Sequence, residues 1–252
     1  MKQHTKDLVN LYFFNMRLGL RRLIAGIGYW RSIEYQLVIS NMELEKQDTI
    51  LDIGSGQSPF PVFLASKGHK ITVTDVDIHS INAQLKWAKK HSLNDFVAEL
   101  NDVTKLTYDE NTFDKVLATS VLEHIEGDGD TKATKEIARV LKPDGTVFIT
   151  LPFATEFAEY DGKDRWYDER ALEKRVVKPS ALEIVRKEYY EEAIPFSKCF
   201  HQIPLLVRAL FLWLQPILSL ILLRNSTGYS RKVCLVAMIL QKRIWTRHAQ
   251  AD

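Results

Sequence analysis

The stretch Ile50-Leu-Asp-Ile-Gly-Ser-Gly-Gln-Ser-Pro-Phe60 constrains the fold more than any other part of the 252-residue chain. A short apolar strand runs straight into a glycine turn and then into a helix start. Gly54 and Gly56 can take backbone angles closed to other residues and let a ligand approach the main chain without meeting a Cβ. Ser58 suits a helix N-cap, and Pro59 suits the first helical turn, where a missing N–H costs nothing. That helix ends at Gly68, with Lys67 in its last turn. The β-branched run Lys70-Ile-Thr-Val-Thr-Asp75 follows, ending in an acid twenty-three residues after Asp52. Strand, glycine loop, helix, strand and acid is the order that cradles a nucleoside, because the acid at the second strand's tip can accept hydrogen bonds from both ribose hydroxyls. The plainer reading makes Asp75 and Asp77 a solvated strand end and turn.

Hydrophobic periodicity extends this unit along the chain. Strand patterns at about 49–53, 71–75, 96–100, 115–119 and 146–150 alternate with helical ones at about 59–67, 80–91 and 131–141, which predicts a parallel sheet covered on both faces. Two further strands are expected at 182–189 and 232–241. Ligands of such sheets sit at the carboxyl ends of the strands, where Gly54, Asp75, Asp102 and Thr119 fall. A dinucleotide fold would want a third glycine after Gly56, and a phosphate-binding P-loop would want Gly-Lys-Ser/Thr; neither is present.

With these residues in place, the chain resembles the class I S-adenosylmethionine (SAM) dependent methyltransferases. Ile50 to Gly56 matches the family's first motif, with Ser58 where its last glycine would stand. Leu100-Asn-Asp102-Val103-Thr104 resembles the third-strand end, Phe113 to Ile125 the fourth strand and the segment beyond it, and Ala138 to Pro152 the helix, turn and fifth strand that close the core. The resemblance implies a Rossmann-like, seven-stranded, mostly parallel α/β sheet, and SAM as cofactor. It places Asp52, Gly54, Ser55, Gly56, Asp75, Val76, Asp102, Val103 and Thr119 around that cofactor, with Asp102 on the adenine amino group and the Val103 N–H on the ring.

Composition bounds the rest. A chain of this length with 46% hydrophobic residues can bury one substantial core, and a net charge of +2 does not by itself imply nucleic acid. Cys199 and Cys234 suggest neither a disulfide framework nor a metal site, the seven histidines show no paired ligand spacing, and no secretion signal is apparent. The expected organisation is an N-terminal amphipathic helical segment (1–46), the methyltransferase domain (47–241, with an apolar insertion at 196–231) and a tail (242–252). The location expected is cytoplasmic, with peripheral contact on the inner face of a membrane. Between Leu8 and Tyr35, apolar residues alternate with Arg17, Arg21, Arg22 and Arg31. Such a helix can lie on an anionic membrane or cap the cofactor cleft. Residues 205–223 carry one charge, Arg208, and as a helix would be about 28 Å long, near a bilayer's hydrocarbon thickness. Strands of one sheet on both sides of the segment exclude a single crossing, and Pro216 allows a re-entrant hairpin, an in-plane segment or a packed lid.

The expected chemistry is transfer of a methyl group to oxygen or carbon of a small, apolar or lipid-linked acceptor, as in the quinone-biosynthesis branch of the family. His124 is the leading candidate for the base, since an imidazole suits proton abstraction near neutral pH; a cap on the following helix is the alternative role for Glu123-His124, and His201 is a second base candidate. In Tyr160 to Tyr167, Arg165 could fork onto an anionic substrate group, and Trp166 or Tyr167 could stack on a ring; the alternative is a solvated connection that positions the helix beginning near Asp168. A noncatalytic SAM-fold module that binds a membrane or a partner, and an RNA methyltransferase, are the competing functions.

Overall fold

A computed structural model describes residues 3–19, 22, 27–161, 163–192, 223–226 and 233–243. Strands β1 (Thr49–Ile53), β2 (Lys70–Asp75), β3 (Phe96–Leu100), β4 (Phe113–Thr119) and β5 (Leu141–Pro152) run parallel in the order β3-β2-β1-β4-β5. A hairpin of β6 (Ala158–Tyr160) and β7 (Lys163–Trp166) follows. The main sheet is then extended beyond β5 by β8 (Glu183–Glu192), β9 (Leu223–Ser226) and β10 (Val233–Gln241), in the order β5-β10-β8-β9, each antiparallel to its neighbour.

Among the described residues the main sheet has eight strands, where seven were expected. The extra one, Leu-Arg-Asn-Ser, has no β-branched residue and no alternation, and its main chain pairs with Tyr189–Glu192 at the sheet edge. Backbone pairing of this kind leaves no mark in the side-chain pattern. Residues 205–222, and with them almost all of the apolar insertion, lie outside the described residues, as do Cys199 and His201. Among the described residues no helix is long and apolar enough to cross a membrane.

Strand alternation divides the core in two. Leu51, Ile53, Val116, Ala118, Val147 and Ile149 point to one face, under α5 (Gly129–Val140) and the helical turns of 169–180. Ile50, Leu117 and Phe148 point to the other, under α3 (Phe60–Ser66), α4 (Ile78–Lys90) and the N-terminal helices. The period of two in the strands therefore serves both helical layers. The first residues of the tail take part: Lys242 Nζ donates to Ala138 O at 2.9 Å and Leu141 O at 2.8 Å, meeting carbonyls at the end of α5.

The described residues of the N-terminal segment include two helices, α1 (Gln3–Arg17) and α2 (Tyr29–Asn41). Their apolar residues Leu8, Leu11 and Ile33, and Leu18 and Ile27 between the helices, are buried, as the cap reading requires. Tyr12 donates to Ser32 Oγ at 2.7 Å, joining the helices, and Tyr35 stacks on Phe60 at 4.5 Å while its hydroxyl meets Ser58 Oγ at 2.6 Å. α2 is anchored through a buried carboxylate. Glu34, 1% exposed, accepts from Arg31 Nη1 at 2.9 Å, Thr150 Oγ1 at 2.9 Å and Ser120 Oγ. Arg31 Nη1 also donates to Thr119 O at 2.7 Å. Removing Glu34 would leave several buried groups without partners, so Glu34→Ala should cost about 2–4 kcal/mol of folding stability. Urea titration tests this, and a loss below about 0.5 kcal/mol, the scale of an ordinary surface change, would contradict it.

Candidate active site

A cleft of 460 Å³ opens at the carboxyl tips of the parallel strands, and Gly54, Asp75, Val76, Asp102 and Val103 form its walls. The glycine loop is shaped by two left-handed residues, Gly54 (φ +59°) and Gly56 (φ +55°). A Cβ on Gly54 would stand 2.2 Å from Val121 Cγ2, so this glycine makes room for the segment after β4 rather than for a ligand. Gly56 has open space on its Cβ side, and its N–H donates to Asp75 Oδ2 at 2.8 Å. The other Asp75 oxygen accepts the Asp77 N–H at 2.9 Å, so one carboxylate ties the loop to the second strand's tip. Asp77 caps α4 through His79 N and Ser80 N. Ser58 accepts the Phe60 N–H at 3.1 Å, beside Pro59, which itself occupies the cap position.

The remaining predicted cofactor residues divide by position. Asp102 Oδ1 accepts from Thr104 N and Oγ1 at 2.9 and 2.8 Å; partial burial pushes its carboxyl upward, but these bonds and Lys105 outweigh it and hold the group below its ordinary value. Ser55 and Gly56 line a smaller recess of 210 Å³ together with Arg22, Arg31 and Tyr35. Asp52 is buried, 4% exposed, and is not among the residues lining the cleft; Thr119 is likewise behind it, bound to Arg31. These two support the site from beneath. Gln84 was not foreseen: its Nε2 donates to Gly56 O at 3.0 Å and Ser58 O at 2.8 Å from inside α4.

Beside the cleft lies a chamber of 430 Å³ whose walls include Trp30, Glu34, Glu123, Pro152, Trp166 and Leu235. The two spaces share Arg31, Ser120 and His124. Past the end of β4, Ser120 takes φ +45° and the chain enters a tight 3-10 turn, Leu122–His124. This turn sends Glu123 inward and His124 outward: Glu123 is 2% exposed and its Oε2 has no hydrogen-bond partner among the described residues. His124 Nδ1 lies 2.5 Å from Asp164 Oδ1, and its Nε2 lies 3.9 Å from Glu123 Oε1. Asp164 comes from the β6–β7 hairpin, which also supplies Trp166.

Of the substrate contacts considered for residues 160–167, Trp166 lines the chamber, whereas Arg165 and Tyr167 are turned into the protein. Arg165 is fully buried, with Nη2 on Gly127 O at 2.7 Å, Nη1 on Ile125 O at 2.5 Å and Nε on Glu159 at 2.5 Å, so it fastens the hairpin to the 3-10 turn. Tyr167 is buried and donates to Asp130 Oδ2 at 2.8 Å. Arg31 and Glu34 were missed as site residues. Their spacing places them one turn apart on a helix, where a pairing is ordinary, and nothing local says that the pair points at a strand end 88 residues away.

Burial pushes the carboxyl of Asp52 up to about 7 and that of Glu123 up to about 8, with Arg31 opposing both shifts. Between the ordinary values of 3.8 and 4.5 and these raised ones, the folded chain holds protons that the unfolded chain has released. Stability must then fall as pH rises. The melting temperature of the ligand-free protein should decline from about pH 5 to about pH 8, and Glu123→Gln should flatten the upper part of that decline. A melting temperature that rises over this window would contradict the assignment.

The cleft fits SAM on its own geometry: a carboxylate at the β2 tip, the apolar Val76, 71% exposed beside it, and a basic recess over the glycine loop. Residues 51–149 match the family model described as a methyltransferase domain. The chain is 27% identical over 157 residues to a phosphoethanolamine N-methyltransferase of Plasmodium falciparum, covering 62% of this chain and 55% of that one. It is 29% identical over 151 residues to a demethylmenaquinone methyltransferase of Staphylococcus epidermidis, covering 58% and 60%. The match thus spans little more than half the length of these curated relatives. A SAM-dependent methyltransferase structure from Methanosarcina mazei superposes with a TM-score of 0.58 at 19% identity, over 82% of this chain and 97% of that one. Fold, glycine loop and family model agree: residues 51–149 form a methyltransferase domain similar to those of the class I SAM-dependent methyltransferases, whose cofactor is SAM.

Proposed function

We propose that this protein transfers a methyl group from SAM to a small organic acceptor held in the chamber under α2 and the β6–β7 hairpin. The observation that carries this is the junction of the two spaces, where His124 borders both. SAM, when bound, supplies an electrophilic methyl group. Asp75 would accept from the ribose hydroxyls, Asp102 and the Val103 N–H would hold the adenine, and Arg22 with Arg31 would meet the carboxylate. Ser55 and Gly56 form the floor of that recess. Asp52 and Thr119 hold this arrangement from beneath rather than by direct contact.

Asp164 fixes the His124 ring through Nδ1, which leaves Nε2 to take a proton from the acceptor. Much of the remaining effect comes from alignment and exclusion of water, which the lid of α2 supports. Trp30, Pro152, Trp166 and Leu235 give the chamber apolar walls, in keeping with an apolar acceptor methylated at oxygen or carbon. The Oε2 atom of Glu123, without a hydrogen-bond partner among the described residues, favours a second form, an acceptor nitrogen. The two curated relatives carry the names of chemically different acceptors, so neither name selects between the forms. Peripheral membrane contact rests chiefly on the sequence of 205–223, because Leu8 and Leu11 of α1 are already used in packing, while Val9 and Phe13 stay exposed.

Asp75→Ala should weaken SAM binding by about 1.5–3 kcal/mol, as loss of charged hydrogen bonds would. Calorimetry reads this directly, and an unchanged affinity would remove Asp75 from the ribose. Incubating the protein with cell extract and isotopically labelled SAM should label one small metabolite, whereas label in no product would leave a noncatalytic binding module as the better reading. His124→Ala should lower that turnover at least about 100-fold with SAM affinity little changed, the scale of general-base catalysis. Full activity would exclude it as the base.

A further inference from the structure

We infer that the chamber beside the cofactor cleft binds an amine in its protonated form, and that Glu123 is the group that takes the amine's proton. The inference rests on the proposed acceptor role of the chamber and specifies the chemistry of its ligand.

Four side chains argue for it. Glu123 and Glu34, 2% and 1% exposed, are both buried in the chamber wall. Glu34 is satisfied by Arg31, Ser120 and Thr150, but Glu123 Oε2 has no partner among the described residues. A buried polar oxygen without a partner costs free energy until a ligand supplies one. An uncharged acceptor without a donor would leave that cost in place, and an anionic acceptor would add repulsion. A protonated amine displaces the proton that burial otherwise keeps on Glu123, releasing it to water, and removes the cost with a charge-assisted hydrogen bond to the carboxylate. Trp30 and Trp166 line the same space, and indole faces attract a desolvated cation. Arg31, the permanent cation among the described lining residues, is already engaged with Glu34 and Thr119.

The proton has a route. The N–H bond breaks with its electron pair remaining on nitrogen, and an O–H bond forms on Glu123. That pair is what methylation of the nitrogen consumes. Burial holds the Glu123 carboxyl up at about 8, closer to an ammonium than an ordinary carboxylate would be. His124 Nε2, 3.9 Å from Glu123 Oε1, belongs to a side chain 58% exposed and can pass the proton to water.

The test uses the full chain saturated with S-adenosylhomocysteine and two probes of matched shape, 4-(dimethylaminomethyl)phenol and the uncharged 4-isobutylphenol. Calorimetry should give at least about tenfold tighter binding of the amine, with proton release read from the dependence of the heat on the buffer. Glu123→Gln should abolish that preference while S-adenosylhomocysteine affinity stays within about twofold. Should this variant misfold, Trp166→Ala, at the hairpin surface, should weaken the amine more than the isobutylphenol. Equal affinity for the two probes in the unaltered protein would overturn the inference, even if labelled SAM marks a metabolite in extract. A preference for the amine with no metabolite labelled would sustain the amine site and remove the methyl-transfer reading instead.

Discussion

The carboxylate of Glu34 is the interaction on which the site depends. It is buried at the point where two strand ends and the N-terminal cap meet, and it accepts from a helix arginine, a residue just past β4 and a threonine of β5. An ionised group in such a place is tolerated only when its lone pairs are filled, so its partners are held in place as firmly as the charge is. Through Arg31 the same network reaches Thr119 O, the last carbonyl of β4. The cap is therefore fixed to the catalytic end of the sheet by polar bonds, while Leu11, Ile33 and Tyr35 fix its other face by apolar packing.

This arrangement explains why there are two spaces and why they adjoin. Arg31 stands in the walls of the cleft, the chamber and the small recess above the glycine loop. The segment after β4 passes between cleft and chamber, and it can do so only because Gly54 has no side chain where Val121 Cγ2 lies. The left-handed Ser120 and the following 3-10 turn then separate neighbouring residues, one inward and one toward solvent. An acid and an imidazole adjacent in sequence acquire different environments in this way, the usual means by which a site divides proton-handling roles.

Much of the fold was legible because side-chain periodicity and glycine placement are local. The strand at 49–53 and the helix at 129–140 follow from alternation and amphipathic spacing, and Asp75 and Asp102 could be set at strand tips by counting from the loop. Thr119 was placed at a strand tip and Asp52 within the first motif as cofactor residues, yet both are buried in protein, because strand position does not tell what covers a residue. Trp30, Arg31 and Glu34 were read only as parts of an amphipathic helix. Their role depends on how that helix docks, which is a tertiary fact. Arg165 was misjudged for a related reason: a polar, aromatic segment suggests a substrate contact, but its guanidinium is used up by carbonyls of the 3-10 turn and its neighbours.

The central claim is that an adenosine carrying a sulfonium is held by the strand tips and covered by α2. Amide hydrogen exchange with and without S-adenosylhomocysteine tests it most directly, since exchange reports local opening residue by residue. The account predicts slowed exchange at 54–58, 75–78 and 102–105, with added protection in α2 near Arg31. Unchanged exchange at those tips, or protection confined to β8 and β9 at the far edge of the sheet, would contradict it.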